Sequence, residues 1–172
     1  MSGKPIQAPR RIAIIGCSGG GKSTLGRDLA DRTGLPLIHL DQEYWRPGWK
    51  MPPPQDWAAR HATLIAQPRW IIEGTFAATL PERAAAADLV IFLDLPRGRC
   101  LRRVLWRVVL SHGRVRADMA PGCPERFDAA FLRYVWTFQK RINPRIEAAI
   151  DGHGHVRLRA PREINRWLDV AF

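Results

Sequence analysis

Short, nearly uninterrupted apolar runs recur along the chain and alternate with stretches whose apolar residues return every three or four positions. The runs are Arg11 to Ile15, Leu37 to Leu40, Trp70 to Ile72, Leu89 to Leu93 and His155 to Leu158. Most are continuous rather than alternating, as strands covered on both faces of a parallel sheet read. Between and after them the spacing predicts helices over Lys22 to Arg32, Gln55 to Ala66, Arg99 to Leu110, Glu125 to Ile150 and Arg162 to Val170, with a break at Asn143-Pro144. In the second helix Trp57, His61, Leu64 and Ile65 fall at helical spacing. Pro52-Pro53-Pro54 and Met119 to Pro124 read as loops, and the first ten residues as a loose tail. There is neither an internal repeat nor a linker, so the alternation predicts one α/β domain over residues 1–172.

Composition agrees with a single domain. A chain of 172 residues, 46% hydrophobic and 25% charged, buries roughly 70% of its unfolded surface on folding and needs no disulfide or metal to do so. No apolar run approaches the ~20 residues of a bilayer span, and Pro5, Pro9 and Arg10 break any signal-peptide pattern. The expectation is a cytoplasmic protein with no membrane partner. Cys17, Cys100 and Cys123 are widely spaced, with no CxxC and no Cys/His pairing at zinc distances. His39, His61, His112, His153 and His155 form no metal or triad pattern, so structural or exposed positions are expected for them.

Charge changes the picture. The net charge is +11, and 23 of the 27 basic residues are arginine, whose planar fork grips phosphate bidentately. Nucleotides and nucleic acids both satisfy such a surplus. Between Asp94 and Asp118 no acidic residue occurs, whereas Arg97, Arg99, Arg102, Arg103, Arg107, Arg114 and Arg116 all do. On the helix after Pro96, Leu101, Val104, Leu105 and Val108 share one face, while Arg99, Arg103 and Arg107 recur every fourth position on the other. That arginine face is either solvated or complemented by nucleotide phosphates and base.

The chemistry begins at Gly16-Cys17-Ser18-Gly19-Gly20-Gly21-Lys22-Ser23, which fits GxxxxGK[ST] between a strand and a helix. Gly16, Gly19, Gly20 and Gly21 allow the backbone to curl, so that its amides, with those of Ser18 and Thr24, can face phosphate oxygens. The helix N-terminus adds its partial positive charge. Lys22 is expected to reach the β and γ phosphates of ATP, and Ser23 to hold Mg²⁺. Cys17 fills a variable position. An [NT]KxD motif is absent, which disfavours a GTPase; the chain is short for an AAA+ module and lacks an LSGGQ element. Three carboxylates, Asp41, Glu73 and Asp94, follow predicted strands, at the sheet edge where ligands bind. Each could orient Mg²⁺ through water, position an acceptor hydroxyl or take its proton, or merely terminate a strand. Asp94 follows its strand as a Walker B acid would, although Pro96 and the arginines beyond also suit a structural role.

The stretches IAIIGCSGGGKSTL, IHLDQEYWRPGW, WIIEGTF, IFLDLPRGRCLRRVLWR and RADMAPGCPERFDAAFL, in that order, resemble the adenylate-kinase-like P-loop family known as DNA topology modulation proteins (FlaR-related). The resemblance covers nearly the whole chain. It implies a P-loop NTPase three-layer sandwich, a five-stranded parallel sheet of order 2-3-1-4-5 and an arginine-rich lid at about residues 110–125, with ATP as phosphoryl donor. By the same likeness Arg103 packs on adenine, Arg107 reaches phosphates and Arg116 grips the transferring group, with Arg114 as an assistant. Ala160-Pro161-Arg162 would line the adenine pocket. The chain departs from the pattern at Glu73-Gly74-Thr75-Phe76, where the family reads Asp-Gly-Asn-Tyr, and this longer acid bears on the metal-water geometry. The adenylate-kinase DGFPR element is also absent, so AMP is not supported as acceptor. Tyr44, Trp45 and Trp49 either stack an acceptor ring or cover the sheet edge.

Two functions follow. The first is an ATP- and Mg²⁺-dependent phosphotransferase acting on a nucleotide or other small acceptor. Its catalytic residues would be Lys22, Arg107, Arg116, Asp41 and Glu73, its nucleotide site would add Arg103, and its metal would be held by Ser23 with Glu73 or Asp94. The alternative is a nucleic-acid-associated ATP-binding regulator, which the +11 charge allows but no helix-turn-helix, zinc-finger or RRM signature supports.

Overall fold

The computed structural model describes residues 8–172. In chain order its elements are β1 (Arg11–Gly16), α1 (Lys22–Thr33), β2 (Leu37–His39), α2 (Leu40–Tyr44), α3 (Pro54–Ile65) and β3 (Trp70–Glu73). There follow α4 (Leu80–Ala86), β4 (Leu89–Leu93), α5 (Arg97–Ser111), α6 (Ala129–Arg141), α7 (Asn143–Ile150), β5 (His155–Leu158) and α8 (Pro161–Ala171). The strands form one parallel sheet of order β2-β3-β1-β4-β5 with flanking helices. The expected α/β sandwich is therefore present. Ile12 to Ile15, Trp70 to Ile72 and Val90 to Leu93 are wholly excluded from solvent, which is why these segments could be apolar at every position.

Register places the chemistry. Ile14 of β1 pairs with Glu73 of β3, which in turn pairs with His39 of β2, while Gly16 pairs with Leu93 of β4. The carboxyl ends of four strands therefore share one edge, and the glycine loop rises from it. Gly16 (φ +140) tolerates no side chain there, since a Cβ would lie 2.3 Å from the Leu93 carbonyl oxygen.

Three boundaries differ from the sequence-based expectation. Asp41 lies in the short helix α2 rather than at a strand end. The helical stretch expected from Glu125 begins only at Ala129, where Asp128 caps α6 by accepting from the Phe131 amide at 3.0 Å, while the expected break at Asn143-Pro144 is present as the start of α7. Helix α4 carried no periodic signal because its LPERAAA sequence is short and alanine-rich. The loose tail expected over the first ten residues lies outside the described residues up to position 7; Arg10 itself is tied down, its amide donating to Asp88 Oδ2 at 2.8 Å.

Residues 112–128, which include most of the segment expected as a lid at about 110–125, connect α5 to α6. This segment has a small core of its own, in which Met119, Ala120 and Cys123 pack with Trp45 and Trp49. Its other ties are equally local: Gly48 N donates to Gly122 O at 2.8 Å, Trp49 Nε1 to Pro124 O at 3.1 Å and the Gln42 side-chain amide to Ala117 O.

Candidate active site

An open cavity of about 870 Å³ lies over this edge. Its floor is the phosphate loop. Gly16, Ser18, Gly19, Gly21, Lys22, Ser23 and Thr24 all line it, whereas Gly20 does not; its amide donates to Cys17 O at 3.0 Å. Gly19 (φ +78) is pressed against α5, where a Cβ would stand 2.5 Å from the Cys100 carbonyl oxygen. Helix α1 begins directly after Gly21, so its unpaired amides face the cavity. Lys22 Nζ donates to Cys17 O at 3.2 Å, which folds the ammonium back over the loop. The Cys17 thiol is pushed up by its hydrogen bond with Cys100 and by burial, a setting for packing rather than nucleophilic attack.

Arginines form another wall. Arg103, Arg107 and Arg116 line the cavity. Their charge is balanced by two carboxylates that sequence reasoning passed over. Glu125, buried, accepts from Arg107 Nη2 at 3.2 Å and from Arg116 Nε at 2.8 Å; Asp118 Oδ2 accepts from Arg116 Nη1 at 3.0 Å. The regular spacing of like charges on α5 is thus answered at Arg107 by Glu125, and Arg103 has no ion-pair partner among the described residues. Burial, followed by the Arg116 charge, lowers the Arg107 pKa. Burial pushes Asp118 up, yet the Arg116 guanidinium and the Ser23 hydroxyl outweigh it and hold its pKa below the ordinary carboxylate range.

At the sheet edge Ser23 Oγ lies 3.0 Å from Glu73 Oε1 and 2.8 Å from Asp118 Oδ2, so one hydroxyl proton faces two carboxylates. His39 Nδ1 lies 2.7 Å from the same Glu73 oxygen. His39, expected to be structural or exposed, therefore touches the site. The donors gathered around Ser23 are hard oxygens and fit Mg²⁺, which takes one or two carboxylates and completes its shell with water and phosphate oxygens. No group of three or more His, Cys, Asp or Glu side chains is placed to hold a metal among the described residues, so the phosphate oxygens of a nucleotide would be needed.

Asp94 does not join this group. Its Oδ2 accepts from Arg157 Nη2 at 2.7 Å and Nε at 3.0 Å, and its Oδ1 from Asn143 Nδ2 at 2.8 Å. Burial raises its pKa, but Arg157 and Asn143 more than reverse that. With both oxygens engaged away from the cavity, Asp94 ties β4 to β5 and α7 instead of serving a metal. Ala160, Pro161 and Arg162 likewise do not line the cavity.

The remaining walls are Asp41 and a set of aromatic rings. Asp41 Oδ1 accepts from Trp45 Nε1 at 3.3 Å. Burial, then the Glu73 charge, raises its pKa. Trp45 meets Trp49 edge-on at 5.5 Å, and Tyr44 bridges Trp45 at 5.0 Å to Phe76 at 4.8 Å. Thr75 locks this side to the phosphate loop, since its Oγ1 accepts from Gly16 N at 3.1 Å and donates to Gly16 O at 2.7 Å. Beneath it, fully buried Arg83 donates to Gly74 O at 2.9 Å and Thr75 O at 2.6 Å and contacts His61 Nε2 at 3.1 Å. Burial lowers the His61 pKa to about 4, so this histidine is neutral and structural, as expected.

Comparison with solved structures finds the same architecture. The chain superposes with a TM-score of 0.59 on shikimate kinase from Acinetobacter baumannii in complex with shikimate, at 17% identity over 95% of this chain and 91% of that one. The fold is that of P-loop kinases. A gluconokinase from Sinorhizobium meliloti 1021 gives a TM-score of 0.54 at 18% identity over 95% and 89% of the two chains. Deoxyadenosine kinase from M. mycoides with bound dATP gives 0.54 at 11% identity over 93% and 96%. Among curated proteins, the uncharacterized protein YqaC of Bacillus subtilis (strain 168) is 32% identical over 108 residues. That match spans 60% of this chain and 60% of its relative. No family model matches the chain.

Proposed function

We infer that the protein is an ATP-dependent kinase that transfers the γ-phosphoryl group to a small acceptor. The observation that carries this reading is the convergence, in one cavity, of the phosphate loop with Lys22, the arginines 103, 107 and 116, and the carboxylates Asp41 and Glu73. Phosphoryl transfer needs little beyond positioning and charge stabilisation, and these are the groups that supply both. The loop amides and Lys22 cradle the β and γ phosphates. Arg107 and Arg116 exchange Glu125 for phosphate oxygens, and Arg103, free of an acidic partner, lies against the nucleotide. Ser23 and Glu73, with Asp118 beside them, would hold Mg²⁺, which when bound neutralises charge on the phosphates. Asp94 is left out of that set. Asp41 and Glu73 stand ready to orient the acceptor or receive its proton. The named neighbours are shikimate, gluconate-type and deoxyadenosine kinases, and this range supports a small acceptor without choosing one.

The test is ADP formation from ATP and Mg²⁺ in the presence of candidate acceptors. Lys22→Ala should lower the rate on the order of a hundredfold or more, as loss of a strong charge-stabilising donor does. Unchanged turnover in that variant would end the reading.

A further inference from the structure

The acceptor half of the cavity has a chemistry of its own, and it rests on the kinase reading above. Asp41 Oδ1 is held by the Trp45 indole, while its Oδ2 accepts no hydrogen bond among the described residues. No arginine or lysine lies within ion-pair distance of it among those residues. A carboxylate oriented through one oxygen and left open at the other can accept the proton of a hydroxyl, whereas a phosphate brought against that oxygen would need a cation there, and of the cavity's basic residues Lys22, Arg27, Arg103, Arg107, Arg116 and Arg126 none pairs with Asp41. Two of those cations, Arg107 and Arg116, are oriented by Glu125 and Asp118. Arg126, near the aromatic wall, lies over the Trp49 ring at 5.6 Å and 3.7 Å from Asp128.

A second, independent observation concerns the backbone. Among the described residues the non-glycine positions with positive φ are Trp49 (φ 62) and Phe76 (φ 35). Both are aromatic, and both line this cavity. A left-handed backbone at a bulky residue costs on the order of 1–3 kcal/mol and persists only where surrounding contacts over-determine it. The contacts that do so are visible: the Trp49 indole donates to Pro124 O at 3.1 Å, and the Phe76 ring packs against Tyr44 and Trp57 at 4.8 and 5.1 Å. Each ring is half-buried, packed on protein over part of its surface and lining the cavity with the rest, and a rigid aromatic surface held in this way offers a flat base something to stack on.

We propose that the acceptor is a nucleoside, its sugar hydroxyl directed at Asp41 and its base held against Trp45, Trp49 and Phe76, so that the enzyme phosphorylates a hydroxyl and not a phosphate. In the step, the hydroxyl proton passes to Asp41 Oδ2 and the oxygen forms its bond to the γ-phosphorus of ATP. The bond from that phosphorus to the β–γ bridging oxygen breaks, its electron pair leaving with ADP, and Asp41 then releases the proton to water. The product is a nucleoside phosphomonoester.

The experiment supplies ATP and Mg²⁺ to the full chain with each common ribo- and deoxyribonucleoside, with their 5′-monophosphates, and with ring-free polyols and sugar acids. Products are followed by phosphorus NMR, which separates a new monoester from a new anhydride. Phosphomonoester formed from a nucleoside, at least a hundredfold faster than any anhydride from a monophosphate, is the expected result. Asp41→Asn should then lower turnover 10²- to 10⁴-fold with ATP affinity within threefold of wild type, and Trp49→Phe should raise the nucleoside KM more than kcat falls. Diphosphate formed from a monophosphate overturns the proposal, as does phosphorylation of a ring-free polyol at the nucleoside rate. ATP binding that depends on Lys22 with no nucleoside phosphorylated overturns it too, while leaving the kinase reading standing. Absence of Lys22-dependent ATP binding defeats that parent reading instead.

Discussion

Asp41 bears the clearest trade between stability and chemistry. Burial and the Glu73 charge raise its pKa above the ordinary value in the folded state. For such a group the folded protein favours the protonated form. The favourable contribution is complete below the unfolded pKa of about 3.9 and is lost as pH rises through the folded pKa, leaving a penalty at neutral pH. Asp41→Asn keeps the acceptor for the Trp45 indole and removes the charge. It should therefore raise the melting temperature at pH 7 and leave it nearly unchanged near pH 3, which thermal scans at the two pH values check. Thr75 behaves oppositely. Its hydroxyl satisfies both the amide and the carbonyl of Gly16, so Thr75→Val leaves two buried backbone groups without partners. Urea unfolding should show a loss of about 1–3 kcal/mol; a loss under about 0.5 kcal/mol, the usual size for an uninvolved position, would mean that water replaces the hydroxyl.

Residues 112–128 are held by a few charged side chains and a very small core, so their docking should depend on single residues. Glu125 joins Arg107 on α5 to Arg116 within that segment. Glu125→Gln leaves two adjacent guanidiniums facing one another without their shared carboxylate. Loss of about 1.4 kcal/mol or more of docking corresponds to a tenfold or greater rise in the open population. Trypsin cleavage after Arg114 or Arg116 should accelerate by that factor, and saturating ATP should suppress the increase because phosphates replace the missing carboxylate. Sequence periodicity could locate α5 and its arginine face, yet it could not find Glu125, which lies 18 residues from Arg107 across a loop that no local pattern spans; Asp118, only 2 residues from Arg116, reads in sequence like any neighbouring acid. The strands were legible for the opposite reason. Ile12 to Ile15 and Val90 to Leu93 are buried on both faces, which leaves an unmistakable apolar run. Asp94 illustrates the limit, since a strand-terminal acid reads the same whether it meets a metal or, as here, Arg157. His39 and the aromatic strain at Trp49 and Phe76 left no signal either, because both arise from tertiary contacts.

The chain as a whole carries a charge of +11, and the cavity draws six basic residues together, two of which, Arg107 and Arg116, are paired with Glu125 and Asp118. Polyphosphate binding should consequently couple to folding. ATP at a hundred times its Kd stabilises by about 2.7 kcal/mol, which for a domain of this size corresponds to a rise of roughly 5–11 °C in melting temperature. The Lys22→Ala variant should lose most of that shift, as differential scanning fluorimetry with and without ATP and Mg²⁺ would record.

The measurement that bears most directly on kinase activity is ATP turnover with Mg²⁺ across nucleosides, their monophosphates and small hydroxylated acceptors, with and without duplex DNA. ADP formed only when an acceptor is present, and abolished by Lys22→Ala, is the outcome expected of this cavity. Turnover indifferent to every acceptor and dependent on DNA, weakening steeply with salt, would contradict it and make the protein a nucleic-acid-associated ATP-binding regulator.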